Sequence, residues 1–309
     1  MSEHDHERPV EPFSDLHVEH GHVRATLLHD PTVEGLDMAI YLDGSASMGD
    51  EYEYKTKHSS IWSWLLGKKP EILPNQVEPQ ARWILEYLAT KDRNGELRVA
   101  YWACGSGKGI EVIGDLRGVD VQQYSFPGPK SEGKSTHLTP AIKDYVEYLR
   151  KQVAQGCKRG CAVFITDGEL HDAAEVKRYC ASLARDISRG LLPRISFILV
   201  GLGDGVNEEQ MEEICHEEYP GIGHLWCHRI AEEIGQMAEL VAVLVDETMT
   251  VAAGGTIYDD KGNVLKVYEA RLPAVLEFEV PEGARSFTLE INGQRFTQPL
   301  PKEEHEFAH

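Results

Sequence analysis

The sequence predicts an α/β protein: a Rossmann-like, doubly wound, mostly parallel sheet followed by a small all-β module. Three observations carry that expectation. Apolar runs such as LDMAIYLD (36–43), CAVFIT (161–166) and ISFILVG (195–201) are nearly continuous, as strands buried on both faces require. They alternate with segments of helical period, which makes βαβ units. From Thr250 the rhythm changes to short alternating strands with turn signals at Asp260-Lys-Gly, Pro281-Glu-Gly and Asn292-Gly.

In chain order, residues 1–15 are polar and read as a disordered N-terminus. His22–Leu28 alternates as a strand does, and Leu36–Asp43 is a buried strand that stops at Gly44-Ser45-Ala46-Ser47. Residues 49–77 have no clean period and hold Tyr52, Tyr54, Trp62 and Trp64 with prolines at 70 and 74; they read as an inserted loop or lid with at most one short helix. Pro79–Leu88 has helical spacing, with Pro79 near the first turn where its missing N–H costs least.

A strand at Leu97–Cys104 and an edge hairpin at Gly109–Ile113 follow. Pro140–Gln155 is a helix with Ala141, Ile142, Tyr145, Val146 and Leu149 on one face. Cys161–Thr166 is a central strand, Asp172–Arg189 an amphipathic helix and Ile195–Gly201 another strand. Glu208–Glu218 reads as a helix, His224–Cys227 as a short strand and Ala231–Val245 as the last helix. The α/β domain is therefore assigned to 16–248 and the β module to 249–309. That module is small for a β-sandwich, so it is expected to borrow a strand, with 16–28 the candidate, or to dock on the first domain.

Composition narrows the function. The 309 residues carry 31 Lys and Arg against 51 Asp and Glu, a net charge of −20 that repels phosphate and argues against a nucleic-acid partner. No apolar run approaches the roughly 18 residues of a membrane-spanning helix. The acidic, His-rich N-terminal stretch lacks the apolar core of a secretory signal, so a cytoplasmic location is expected. The six cysteines fit reduced thiols, with Cys104 and Cys161 inside apolar runs.

The informative residues are Asp43, Ser45 and Ser47 at the carboxyl end of the first buried strand, where open parallel sheets place their ligand sites. Ser135-Thr136-His137-Leu138-Thr139-Pro140 precedes a helix, and Thr166-Asp167-Gly168 ends the strand AVFI, so both meet the same edge. Asp43, Ser45, Ser47, Thr136 and Asp167 supply two carboxylates and three hydroxyls with no nitrogen or sulfur. Hard oxygen donors suit Mg²⁺, and Mn²⁺ fits as well. One D-x-S-x-S alone is weak, because Ser, Asp and Gly are ordinary turn residues. Three such segments in order are far harder to obtain by chance.

These motifs resemble the von Willebrand factor A (VWA) family, whose metal-ion-dependent adhesion site has D-x-S-x-S, a distant Thr and a T-D-G-type Asp. The resemblance covers about 34–247. Lys91-Asp-Arg-Asn-Gly-Glu-Leu97, Phe164-Ile-Thr-Asp-Gly-Glu169 and Phe197-Ile-Leu-Val-Gly-Leu-Gly203 are similar to bacterial VWA proteins of tellurium-resistance, stress and defence clusters. The resemblance implies that Ser45 and Ser47 bind the cation directly, that Thr136 joins them in the ligand-bound state, and that Asp43 and Asp167 act through water. It implies one open coordination position for an Asp or Glu of a protein partner, and no catalysis. Two features depart from the family pattern: Lys134-Ser135 replace a glycine pair, and the first loop carries the 49–77 insertion.

An acidic partner requires a rim less negative than the body. Lys55, Lys57, Lys68 and Lys69 balance the acids of the insertion, and Lys130, Lys134 and His137 border Thr136. Trp62, Trp64, Lys134 and His137 are accordingly the candidate partner-binding residues, although Trp62 and Trp64 equally suit packing of the loop on its own domain. The rival reading is a metal-dependent hydrolase of phosphate or acyl esters. It is weakened because Ser45 stands where a phosphatase needs its second Asp, and the nucleophile-elbow pattern lacks its first Gly. Gly105-Ser-Gly107-Lys108 fails as a phosphate loop for want of the first Gly and a following Ser or Thr, so no nucleotide is expected. Cys215, His216, His224, Cys227 and His228 have zinc-like spacing but fall on a helix and a strand that need not converge.

Overall fold

The computed structural model describes residues 10, 12–27, 35–52, 74–248, 250–252, 254–269 and 272–301. Trp62 and Trp64, with most of the 49–77 insertion, lie outside the described residues, as do the lysines at 55, 57, 68 and 69. Contacts divide the chain into two compact units, Pro31–Leu244 and a discontinuous one joining Met1–Asp30 to Val245–His309.

The discontinuous unit begins with β1 (Phe13–Glu19) and β2 (His22–Leu27). In the other unit the order is β3 (Leu36–Asp43), α1 (Val77–Lys91), β4 (Glu96–Cys104), β5 (Gly109–Arg117), α2 (Thr139–Val153), β6 (Arg159–Thr166), α3 (Ala173–Ser188), β7 (Arg194–Leu202) and α4 (Glu208–Cys215). A two-residue hairpin, β8 (Glu218–Tyr219) and β9 (Gly223–His224), leads to β10 (Trp226–Ala231) and α5 (Met237–Thr248).

The sheet runs β10-β7-β6-β3-β4-β5, parallel except for β5, which is antiparallel to β4. Every residue of β3 is buried, because helices cover both faces. Ala39 and Tyr41 join a core with Phe164, Phe197, Trp226 and the inner faces of α2, α3 and α4. Met38, Ile40 and Leu42 point the other way by strand alternation and are as deeply buried. No helix of the described residues is long and apolar enough to cross a membrane.

Three boundaries depart from expectation. The strand expected at His224–Cys227 starts at Trp226 and runs to Ala231, whose last rung pairs with Leu202; edge pairing takes Ala231 from the helix, which begins only at Met237. The helix expected to reach Glu218 stops at Cys215, because Glu218 turns back to pair with His224. The edge hairpin continues to Arg117.

In the discontinuous unit, β11 (Thr250–Ala252) pairs with β14 (Leu272–Pro273), and β12 (Gly255–Asp259), β13 (Val264–Tyr268), β16 (Ser286–Ile291) and β17 (Gln294–Pro299) form a four-stranded sheet ordered β13-β12-β16-β17. A second sheet has the order β1-β2-β15, with β15 spanning Val275–Glu279. Residues 22–26 thus pair antiparallel with 275–279 and belong with the C-terminal strands, not with the α/β domain drawn from residue 16. The N-terminal stretch also differs from the disordered 1–15 expected. Phe13 is buried and its ring meets that of Phe287 edge-on at 5.2 Å, so non-local packing orders what local composition leaves unmarked. Residues 1–9 and 11 lie outside the described residues.

Candidate functional site

Leu42 pairs with Ile165 in the sheet, so Asp43 and Thr166 leave it side by side. The buried Asp43 carboxylate accepts from the Ser45 N–H at 2.7 Å on Oδ1 and from the Thr166 hydroxyl at 2.5 Å on Oδ2. Ser45 Oγ lies 2.9 Å from Ser47 Oγ, and Ser47 Oγ donates to Asp167 Oδ1 at 2.7 Å. Ser47 has one proton and gives it to Asp167, so Ser45 is the donor in the serine pair. Thr136 is buried across Gly168: a Cβ built there would sit 3.7 Å from Thr136 Oγ1 and 3.8 Å from Ser47 Oγ. All five residues therefore meet at the carboxyl edge of the sheet.

The backbone explains how they meet. Gly133 donates to the Gly44 carbonyl and accepts from the Ala46 N–H, each at 2.9 Å, which lays the Thr136 loop along the serine loop. Only glycine permits this approach, since a Cβ at 133 would fall 1.6 Å from the Ala103 carbonyl oxygen. Ala103 itself takes a left-handed φ of 57°, a strain of the kind that clusters at functional sites. The Gly105–Gly109 turn is a backbone platform for the same loop: Gly105 accepts from the Lys134 N–H and Gly107 from the His137 N–H. Below the site, the Tyr52 hydroxyl donates to the Asp43 carbonyl at 2.7 Å. Lys134 is exposed and His137 half-buried, both on the loop that carries Thr136.

No protein-family model matches the chain, and no curated protein matches it. Among solved structures it is similar to the manganese-loaded TRAP protein of Plasmodium vivax, at 13% identity over 89% of this chain and 91% of that one, with a TM-score of 0.41. It is also similar to the open conformation of the pilus adhesin SpaC of Lactobacillus rhamnosus GG, at 10% identity over 90% of this chain and 45% of that one, with a TM-score of 0.46. An aerotolerance-related membrane protein of Bacteroides fragilis is 20% identical over 54% of this chain and 67% of that one, with a TM-score of 0.32. Scores this low, at identities of 20% or less, leave function to be argued from the site.

The donor chemistry fits a small hard dication. Mg²⁺ holds oxygens at about 2.1 Å, so neighbouring corners of its octahedron lie about 3 Å apart. The spacing of 2.9 Å between the Ser45 and Ser47 hydroxyls, the two expected direct donors, is close to that edge. The electrostatics agree. Burial pushes the Asp43 carboxyl up to about 6, with Asp167 adding to the rise and the Thr166 and Ser45 hydrogen bonds opposing it. Burial also raises Asp167, against its bond from Ser47. Two acids that resist ionisation together are what a dication would relieve. Among the described residues, no group of three or more His, Cys, Asp or Glu side chains is placed to hold a metal, the zinc-like cysteines and histidines included.

Sequence reasoning passed over Thr166, whose hydroxyl holds Asp43. Its signal was position, one residue before Asp167 in a strand-end T-D-G. It also passed over Gly133, which acts on backbone and leaves no local pattern.

Proposed function

We propose that this chain is a VWA-type protein-interaction module that binds one Mg²⁺, or Mn²⁺, at Asp43, Ser45, Ser47, Thr136 and Asp167. Through that cation it would capture an Asp or Glu side chain of a protein partner. Ser45 and Ser47 would touch the ion directly, Thr136 would join them in the ligand-bound state, and Asp43 and Asp167 would act through water. Uncharged direct donors leave the ion electrophilic, so an incoming carboxylate gains more from it. Lys134 and His137 would flank that carboxylate, with Trp62 and Trp64 as further contacts. The setting is a bacterial cytoplasmic stress-response, tellurium-resistance or defence complex, and the chain is not an enzyme.

The observation that supports this reading is the convergence of two carboxylates and three hydroxyls at one sheet edge, with the Ser45 and Ser47 oxygens at octahedral-edge spacing and Asp167 hydrogen-bonded behind them. Affinity purification from the native host with and without Mg²⁺, using wild type beside Asp43→Ala, tests it. Partner capture is expected to need both the cation and Asp43, with no turnover of phosphate or acyl esters. Metal-dependent turnover lost in the same variant would establish the hydrolase instead. Capture that survives EDTA would leave a scaffold whose site is unused.

A further inference from the structure

We propose that His171 and Asp172 are positioning residues that fix the backbone of the Thr136 loop beside the cation site before any cation arrives. The segment following Asp167 grips the Thr136 loop with four hydrogen bonds. The His171 N–H donates to the Thr136 carbonyl at 2.8 Å, and the Thr136 N–H donates to His171 Nδ1 at 3.1 Å. The Asp172 carboxylate accepts from the Leu138 N–H at 2.8 Å on Oδ1 and from the Thr139 N–H at 2.9 Å on Oδ2.

Two features separate this grip from ordinary capping. Asp172 stands at the N-cap of α3, where its side chain would normally serve its own helix, yet it makes no such bond. Its carboxylate goes instead to the entry of α2, just after Thr136. His171 is exposed, so nothing in the core requires its ring to accept an amide from a loop 35 residues earlier. With Nδ1 accepting, the bond pattern places the ring proton on Nε2.

The gripping segment is itself braced. Gln210 of α4 accepts from the Leu170 N–H at 2.8 Å and donates to the Leu170 carbonyl at 2.7 Å. A continuous bonded path therefore runs from Asp167 through 170–172 to Thr136. Two of the five oxygen donors sit on one mechanical unit, and the glycine platform at 105–109 holds the Thr136 loop from its other side. A preassembled loop pays its ordering cost in folding and leaves more of the binding energy for the ligand.

The proposal rests on Thr136 being a cation ligand, but the grip can be read without metal. The variants are His171→Ala, His171→Asn and His171→Gln; the exposed position keeps folding out of question. Asn carries an acceptor oxygen where Nδ1 stood, whereas the Gln oxygen reaches only the Nε2 position. Two quantities are measured: hydrogen exchange of the Thr136 amide by NMR in metal-free protein, and Mn²⁺ affinity by calorimetry.

His171→Ala and His171→Gln are expected to speed Thr136 exchange and to weaken Mn²⁺ binding about tenfold, at the low end for residues that orient a ligand. His171→Asn is expected to restore both. Wild-type exchange at Thr136 in His171→Ala overturns the proposal, and so does faster exchange with unchanged Mn²⁺ affinity. Wild-type protein that takes up no Mn²⁺ overturns the cation reading and this proposal with it. Uptake by wild type that every variant matches overturns this proposal alone.

Discussion

Strand β3 has buried acids near both ends, and the two ends treat them differently. At the amino end, Asp37 is fully buried and paired in two places with Arg93, Nη2 to Oδ1 at 2.9 Å and Nε to Oδ2 at 3.0 Å. Beside it, Asp92 accepts from the backbone N–H groups of Met38, Asn94 and Glu96. At the carboxyl end, Asp43 and Asp167 meet hydroxyls and one amide, and among the described residues no Lys or Arg pairs with either. A buried charge is tolerated when it is paired. The amino end satisfies its charge with the chain's own residues and holds the fold. The carboxyl end leaves a charge for something else to balance.

Arg93→Ala tests that division most severely. It strips the partner from a fully buried carboxylate, which costs about 3–5 kcal/mol. Thermal and urea unfolding are expected to show that loss while Mn²⁺ affinity of the remaining folded protein holds. If Mn²⁺ affinity fell in proportion, the two ends would be one coupled network and the contrast would be false.

The contrast also explains which parts could be read in advance. Leu36–Asp43 was legible to the residue, because a strand buried on both faces is an apolar run with a polar stop. That Asp43, Ser45, Ser47, Thr136 and Asp167 share one sheet edge was legible for a related reason: strand ends and helix starts mark where such residues can meet. Phe13–Asp15 was not, although the segment from residue 16 was the candidate for a borrowed strand. FSDLHVE has one aromatic and little alternation, and its strand exists because β2 pairs with it and with residues 275–279. Ala231 carries a helical pattern, but the last rung against Leu202 decides its state. His171 and Asp172 bond to backbone amides some 35 residues away, and no spacing rule encodes such a contact.

Titration distinguishes the two ends at a smaller scale. Burial pushes both Asp43 and Asp92 up to about 6, against about 3.9 in an unfolded chain. Between about pH 4 and 6 the folded state therefore holds protons that the unfolded chain has released. The stability these groups contribute is present below about pH 4 and is lost as pH rises through about 6, on the order of 2–3 kcal/mol each. Melts of metal-free protein from pH 4 to 7 are expected to show that decline. Saturating Mg²⁺ should remove the Asp43 share and leave the Asp92 share, and Asp43→Asn should abolish the difference Mg²⁺ makes. A decline that Mg²⁺ leaves untouched would place Asp43 beside Asp92 as a structural acid.

The finest comparison sets one hydroxyl at each end. Thr166 donates to the Asp43 carboxylate, and Tyr145 donates to the Asp37 carbonyl at 2.8 Å. A bond to a charged group is worth about 1.5–3 kcal/mol and a neutral one about 1 kcal/mol. At neutral pH without metal, Thr166→Val is thus expected to cost more than Tyr145→Phe, and to weaken Mn²⁺ binding about tenfold because Asp43 loses its orientation. Tyr145→Phe should leave Mn²⁺ affinity at the wild-type value. Because Val keeps the shape of Thr and Phe the shape of Tyr, packing contributes little to either number. If the two variants weakened Mn²⁺ binding equally, orientation of Asp43 would not be what Thr166 supplies, and the unbalanced charge at the carboxyl end would need another explanation.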